Sequence, residues 1–274
     1  MLHPELLSNR ADLGVAFFYR SIFFNHHAYK LLELEIKELL MKIRRGMLFG
    51  TFFFFTVLLA GKVEDHLIDI SDVIWKVPTS QKVVALTFDD GPVSTTTPEI
   101  LNILKEKNIK ATFFVVGEQV KKFPNLISQE IADGHEVGNH TYSHPTLTSL
   151  QEGMVEEELR TTEKQIMEVA PKPTLFRPPG GFSNKKIIKI ARESEYSTIL
   201  WTIDPIDWRS PSPPVGEIVD LVVKEVKPGS IILLHDGKYP STTPEALWFI
   251  IESLESRGYE FVTVTELLQY YERK

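Results

Sequence analysis

The architecture of this chain is set by the stretch Val83-Val84-Ala85-Leu86-Thr87-Phe88-Asp89-Asp90-Gly91-Pro92. Its apolar first part predicts a buried strand, and Gly91-Pro92 predicts a turn directly after it. Successive residues that leave a strand point in different directions. We therefore expect Asp89 and Asp90 to face different atoms, although a solvated turn would explain the same four residues if they stood alone.

Two histidines further along the chain complete a possible metal site. His140 and His144 stand four residues apart, the spacing of one helical turn, so both rings can face a common point. One carboxylate and two imidazoles with open positions left over suit a divalent metal held for catalysis. The same ligands also fit a non-haem iron oxygenase. Two surface histidines in a polar turn beside Pro145 are the plain alternative.

Three later segments place polar residues at the ends of strand-like runs. Arg177 follows Phe176, residues 204–208 follow the apolar stretch 198–201, and His235 ends the apolar run 231–234. In barrel enzymes the C-terminal ends of the strands carry the chemistry. A surface ion pair or a core histidine would explain any one of these residues. The repetition at five strand ends favours a shared site.

Residues 87–92, 140–144, 177–180, 204–208 and 233–235 resemble, in order, the five motifs of the polysaccharide deacetylases. These are the NodB-homology enzymes of carbohydrate esterase family 4. The resemblance covers residues 75–274 and implies an α/β fold, a distorted (β/α) barrel of about seven strands. It also implies metal-dependent removal of acetyl groups from N-acetylated sugars, which neither an oxygenase nor a surface-turn interpretation would give.

The resemblance assigns a metal site and a base. Asp90, His140 and His144 would hold one divalent ion, with zinc expected and cobalt, nickel or manganese as alternatives. Asp89 would be the general base, and Arg177 would pair with it and hold it ionised, because an opposite charge at contact distance favours the charged form.

The resemblance also assigns an acid and the substrate contacts. His235 would be the general acid, and Asp204 would hydrogen-bond it and favour the imidazolium. Leu233 and Trp208 would line a small apolar slot for the acetyl methyl group. The family commonly has an aromatic residue after Arg-Pro-Pro, where this chain has Gly180. Its backbone N–H still offers an oxyanion contact, but the ring beside the sugar is missing.

The N-terminal part of the chain predicts export. Residues 41–61 join a basic start to an apolar run, 47–60, of 14 residues. That run is shorter than the roughly 20 residues that span a bilayer, and it suits a signal peptide or an uncleaved membrane anchor. Residues 1–40 are an extension, either upstream of a true start at Met41 or a cytoplasmic tail. Residues 62–74 are a predicted linker to the catalytic domain, 75–274.

Two helix starts carry capping patterns. Thr97-Pro98-Glu99 predicts an N-cap at Thr97 followed by proline at the first helical position. Ser149 and Glu152 have the spacing of a capping box in front of a long helix.

Composition limits the partners. The net charge is −7 and no basic cluster follows the signal-like segment, which disfavours nucleic acid. The chain has no cysteine, which is compatible with secretion and excludes lipoprotein attachment. We expect an extracytoplasmic monomer that acts on an acetylated cell-wall polysaccharide. Peptidoglycan N-acetylglucosamine is the first candidate and chitin-like oligomers are the second. An O-acetyl esterase of xylan type and a non-catalytic carbohydrate-binding protein on the same fold are the alternatives.

Overall fold

The computed structural model describes residues 73–237 and 240–272. The predicted extension 1–40, the signal or anchor segment 41–61 and most of the linker lie outside the described residues. Val73 and Ile74, assigned to the linker from the sequence, form the first strand.

One parallel sheet organises the described residues. The apolar run before Asp90 forms strand β2 (Val83–Asp89), which pairs with three other strands, and all seven of its residues are buried. The sheet order is β1-β6-β5-β4-β3-β2-β7, and β8 pairs with the start of β2. The strands are β1 (Val73–Ile74), β2 (Val83–Asp89), β3 (Thr112–Val115), β4 (Glu136–Asn139), β5 (Leu175–Phe176), β6 (Ser197–Ile199), β7 (Ile231–His235) and β8 (Glu260–Phe261).

Helices supply the connections, because parallel strands need long crossovers that return the chain to the same end of the sheet. The helices are α1 (Thr96–Glu106), α2 (Gly117–Lys122), α3 (Pro124–Ala132), α4 (Glu152–Met167), α5 (Lys185–Glu193), α6 (Val215–Glu225), α7 (Thr243–Ser256) and α8 (Val264–Leu268). Within the described ranges, no helix combines the length and apolar character that crossing a membrane requires.

The sheet curves until its two edges approach each other. An isolated parallel bridge joins Ile203, just past β6, to Ile232 in β7, and the Leu233 amide donates to the Ile203 carbonyl at 2.9 Å. A second bridge joins Lys76 to Ser230. The predicted α/β fold is confirmed, and isolated bridges rather than a full ladder link the edges.

Both predicted capping patterns are wrong. Helix α1 begins at Thr96, with Thr95 at the N-cap. The Thr97 hydroxyl instead donates to the buried carboxylate of Asp236 at 2.5 Å, a tertiary contact that local sequence does not reveal. Helix α4 has Gln151 at its N-cap, and Ser149 lies in a preceding 3-10 turn where its hydroxyl donates to the Thr146 carbonyl.

The main core lies between the sheet and helices α1, α6 and α7. Leu247 of α7 is fully buried there, together with Phe88 of β2 and Leu101 of α1. Phe249 lies on the same helix but is exposed to 46%. The same helix thus has a core face and a solvent face.

We expect Leu247→Ala to lower the free energy of unfolding by about 2–5 kcal/mol, because it removes buried methyl groups and leaves a cavity. Phe249→Ala should cost about 1 kcal/mol or less, since nearly half of this residue's surface is exposed to solvent. Urea unfolding followed by circular dichroism measures both. Equal losses in the two variants would contradict this placement of the core.

Candidate active site

The register of the sheet brings polar residues to one edge. Asp89, the last residue of β2, pairs with His235, the last residue of β7. Asn139, the last residue of β4, pairs with the end of β5. His140 and Arg177 follow directly, and therefore leave the sheet next to each other at the carboxyl ends of the strands. That end is where parallel α/β sheets bind their ligands.

A tight turn separates the two aspartates. Asp90 has a φ of 75°, in the left-handed region, so the backbone turns directly after the strand ends. A Cβ on Gly91 would lie 2.0 Å from the carboxylate of Asp236, so only glycine permits this close approach. Burial raises the pKa of Asp236 to about 7. The turn that presents Asp90 is thus built against a buried carboxyl group.

Asp90, His140 and His144 converge as predicted metal ligands should. Each offers a donor atom, and these atoms all lie within 4.8 Å of one another. Asp90 Oδ1 is 3.4 Å from His140 Nε2 and 3.2 Å from His144 Nε2. His140 Nδ1 lies 2.7 Å from the carbonyl oxygen of Arg177. Because a carbonyl only accepts, we assign the proton to Nδ1, which leaves the Nε2 lone pair facing Asp90.

The donor set fits a divalent cation. Burial raises the pKa of the Asp90 carboxyl, but the neighbouring rings of His140 and His144 outweigh it and hold that pKa well below its usual range. Asp90 is therefore charged, and its buried Oδ1 has no hydrogen-bond partner within the described residues. One carboxylate oxygen and two imidazole nitrogens are common ligands of catalytic zinc.

The two histidines do not lie on the helical turn that their spacing suggested. Thr141 and His144 have φ values of 67° and 56°, so residues 140–144 form a loop with two left-handed residues. The rings still meet, with centroids 5.0 Å apart. The loop thus brings together the two rings that were expected to meet on a helical turn.

Asp89 is held by a buried arginine. Arg177 Nη1 donates to Asp89 Oδ1 at 2.6 Å, and the arginine side chain is fully buried. Burial lowers the pKa of Arg177, while the charge of Asp89 opposes that shift. The second carboxylate oxygen of Asp89 lies 3.7 Å from His140 Nε2. This oxygen is directed towards the candidate metal site, although Asp89 is not in the three-ligand cluster.

The partner of His235 is Asp207, so the prediction that Asp204 hydrogen-bonds this histidine is wrong. Asp207 Oδ1 lies 2.8 Å from His235 Nδ1, and Asp207 Oδ2 accepts from the His235 amide at 2.8 Å and from the Thr243 hydroxyl at 2.7 Å. Asp204 instead accepts from the backbone amide of Ile206 within its own turn. Burial lowers the pKa of His235, but the contact with Asp207 outweighs burial and raises it to about 9.

The predicted substrate contacts differ in exposure. Leu233 is buried, whereas the Trp208 side chain is exposed to 51%. Gly180 has a φ of 61°, a backbone conformation that strains an aromatic residue, and a Cβ there would lie 2.9 Å from the ring of Phe182. This backbone explains why glycine replaces the usual aromatic residue. The exposed Phe182 ring lies two positions further on.

The described residues thus form an α/β sheet with an Asp-His-His donor set at its carboxyl edge. This arrangement is typical of a metal-dependent enzyme. The family model described as "Polysaccharide deacetylase" matches residues 76–199. The chain is 43% identical over 201 residues to the peptidoglycan-N-acetylglucosamine deacetylase of Bacillus cereus (strain ATCC 14579), covering 72% of this chain and 93% of that protein. The chain belongs to the polysaccharide deacetylase family, as its motifs predicted.

Other comparisons agree with this assignment. The chain is 35% identical over 198 residues to the chitooligosaccharide deacetylase of Bradyrhizobium sp. (strain ANU 289), covering 67% of this chain and 90% of that protein. The crystal structure of the Bc1960 peptidoglycan N-acetylglucosamine deacetylase superposes with a TM-score of 0.71 at 35% identity, covering 76% of this chain and 97% of that one. BA3943 of Bacillus anthracis, described as a CE4 family pseudoenzyme, gives 0.69 at 33% identity, covering 76% and 73%.

We expect Asp207→Asn to lower the pKa of His235 by about 1–3 units, because it removes the negative charge at contact distance from Nδ1. NMR titration of the imidazole signals in metal-free protein measures this pKa. Asp204→Asn is the matched control and should leave the pKa unchanged. A fall in the Asp204→Asn protein with none in the Asp207→Asn protein would contradict the assignment.

Proposed function

We propose that this protein is a metal-dependent N-deacetylase that hydrolyses acetamido groups on an N-acetylglucosamine polysaccharide, with release of acetate and a free amine. One observation carries the proposal: the Asp89–Arg177 ion pair, the three-ligand cluster and the Asp207–His235 pair meet at one edge of the sheet. A base, a metal site and an acid are what amide hydrolysis requires.

The metal site is assigned to Asp90, His140 and His144. A divalent cation bound there supplies Lewis acidity. Two nitrogen ligands and one oxygen ligand favour zinc, and cobalt, nickel or manganese suit the same donors less specifically. The Nδ1 contact of His140 with the Arg177 carbonyl keeps the Nε2 lone pair of His140 available to the cation.

Asp89 is assigned as the general base. Its Oδ1 is occupied by Arg177, which fixes the carboxylate in place, and its Oδ2 is directed towards the ligand cluster. A water molecule that attacks an acetyl carbonyl at this point can give its proton to Oδ2. Among the proposed reacting groups, the Arg177 side chain contacts only the base, and we therefore assign it a positioning role.

His235 is assigned as the general acid. Its Nδ1 is held by Asp207, which leaves Nε2 as the proton donor to the departing amine nitrogen. The amine needs this proton, because an amide anion is a very poor leaving group. With a pKa of about 9 in the metal-free protein, His235 is protonated at neutral pH. Asp207 takes the orienting role that the motif pattern had placed on Asp204.

The remaining substrate contacts follow the family pattern. The Gly180 backbone N–H is proposed to donate to the oxyanion that forms as water attacks. Trp208 and Leu233 are proposed to border the acetyl methyl group, with the exposed Trp208 ring on the sugar side. This arrangement also accepts an O-acetyl ester, whose alcohol departs more easily than an amine.

Peptidoglycan is the proposed polymer, on the strength of the 43% identity to a protein named for that substrate over 93% of its length. Chitooligosaccharides are the second candidate, supported by 35% identity to a protein named for them. Because a cell-wall polymer lies outside the cytoplasm, we propose the same location for the catalytic domain. We propose that residues 47–60 direct export or anchor a monomeric enzyme to the membrane.

Asp89→Asn should lower kcat by about 10²–10⁴-fold, because an amide side chain cannot accept the proton of water at neutral pH. The variant should retain the metal content of the wild type, as measured by inductively coupled plasma mass spectrometry. Asp90→Asn serves as the control that loses metal. Equal loss of metal in both variants would contradict the division of labour between the two aspartates.

The function itself is tested by measuring acetate released from purified peptidoglycan, from chitooligosaccharides and from acetylated xylan. We expect release from peptidoglycan that chelator abolishes and zinc restores. Release from xylan alone, surviving His235→Ala, would identify an O-acetyl esterase. Binding to the polymers without any acetate release would identify a non-catalytic protein.

A further inference from the structure

The loop that carries both histidine ligands adopts an unfavourable backbone. Thr141 and His144 are both in the left-handed region, and neither is a glycine. Such residues cost about 1–3 kcal/mol each unless the surroundings hold them. The loop therefore depends on contacts from outside it to keep the two rings together.

Glu158, on helix α4, holds the middle of this loop through its side chain. Its Oε2 accepts from the backbone amides of Tyr142 and Ser143, at 2.8 Å each. Its Oε1 accepts from the Ser143 hydroxyl at 2.8 Å. Three hydrogen bonds to one ionisable carboxylate are stronger than the same contacts to a neutral group.

Backbone contacts restrain the other side of the loop. The amides of Gly117 and Glu118, at the start of α2, donate to the carbonyls of Thr141 and Tyr142 at 2.9 and 3.0 Å. These bonds fix the carbonyl groups of residues 141 and 142, and the Thr141 amide donates to Asn139 Oδ1 at 2.9 Å. Glu158 fixes the amide groups of residues 142 and 143, the part of the loop next to His144.

The two ligands differ in how they are supported. His140 is buried, and its Nδ1 is fixed by the Arg177 carbonyl. The side chain of His144 is exposed to 42%. His144 directly follows Tyr142 and Ser143, whose amides donate to Glu158. The position of His144 is therefore more dependent on the backbone of the loop than that of His140.

We propose that Glu158 is a positioning residue that sets the affinity of the metal site by holding residues 142–143, and with them His144. The proposal rests on the proposed function, since it assumes that Asp90, His140 and His144 bind a metal. Glu158 does not belong to the ligand cluster. It acts through the backbone amides of Tyr142 and Ser143, from which it accepts hydrogen bonds.

The experiment measures the zinc Kd of the full chain by competition with a chromophoric chelator, after metal removal. Glu158→Ala should raise the Kd by about 10–100-fold, the usual effect of losing a group that orients a ligand. The absorption bands of the cobalt-substituted variant should also change, because His144 contacts the metal differently. Glu158→Gln should raise the Kd less, since its amide oxygen still accepts from the two backbone amides.

Glu157→Ala is the matched control. Glu157 is the preceding residue on α4, and it contacts Arg160 and Thr161 rather than the loop. The Glu157→Ala variant should keep the wild-type zinc Kd. Thermal unfolding of the metal-free variants checks the fold, and Glu158→Gln provides the test if Glu158→Ala does not fold.

The outcomes separate two failures. A wild-type protein that binds no zinc would overturn the proposed function together with this inference. The inference alone would be overturned if the wild-type protein binds zinc and the folded Glu158 variants have the same zinc Kd as Glu157→Ala.

Discussion

The buried charge of Arg177 is the constraint on which the site depends. Removing the partner of a buried ion pair costs about 3–5 kcal/mol, because the remaining charge is left uncompensated. The charge of Arg177 is compensated by Asp89 at 2.6 Å. The guanidinium also donates hydrogen bonds to the Thr87 hydroxyl and to the carbonyls of Ile199 and Leu200. Arg177 thereby ties strands β2, β5 and β6 together at their carboxyl ends through its side chain. Its backbone carbonyl accepts from His140, so the same residue fixes both Asp89 and His140, the proposed base and one proposed metal ligand.

Environment gives the acidic residues of the site different tasks. Asp89 is bound to an arginine, Asp90 faces two ring nitrogens, and Asp207 is bound to His235. We propose that these surroundings suit Asp89 to the role of base, Asp90 to that of metal ligand and Asp207 to that of orienting partner for the acid. Asp236, buried beneath the turn, contacts none of the reacting groups and has a pKa near neutrality. The task proposed for each carboxylate therefore follows from the side chain that it contacts.

Motifs in the sequence were sufficient to predict the α/β class, the family and the residues that would meet. Strand ends and short motifs are local signals, and β2 carries the strongest of them. Predictions failed where a distant residue decided the contact. Asp204 and Asp207 belong to one motif. The backbone conformation of the turn determines which of the two contacts His235. Thr97 has the sequence of an N-cap, but its hydroxyl bonds to Asp236, which is 139 residues away.

Anomalous diffraction at the zinc absorption edge, from crystals of the zinc-loaded protein, would show which side chains bind the metal. We expect one strong peak per chain, in bonding contact with an Asp90 carboxylate oxygen and with Nε2 of both His140 and His144. We also expect that Asp89 stays bound to Arg177 in those crystals. A peak coordinated by Asp89 instead of Asp90, or a zinc ion that avoids the two histidines, would contradict the proposed metal site.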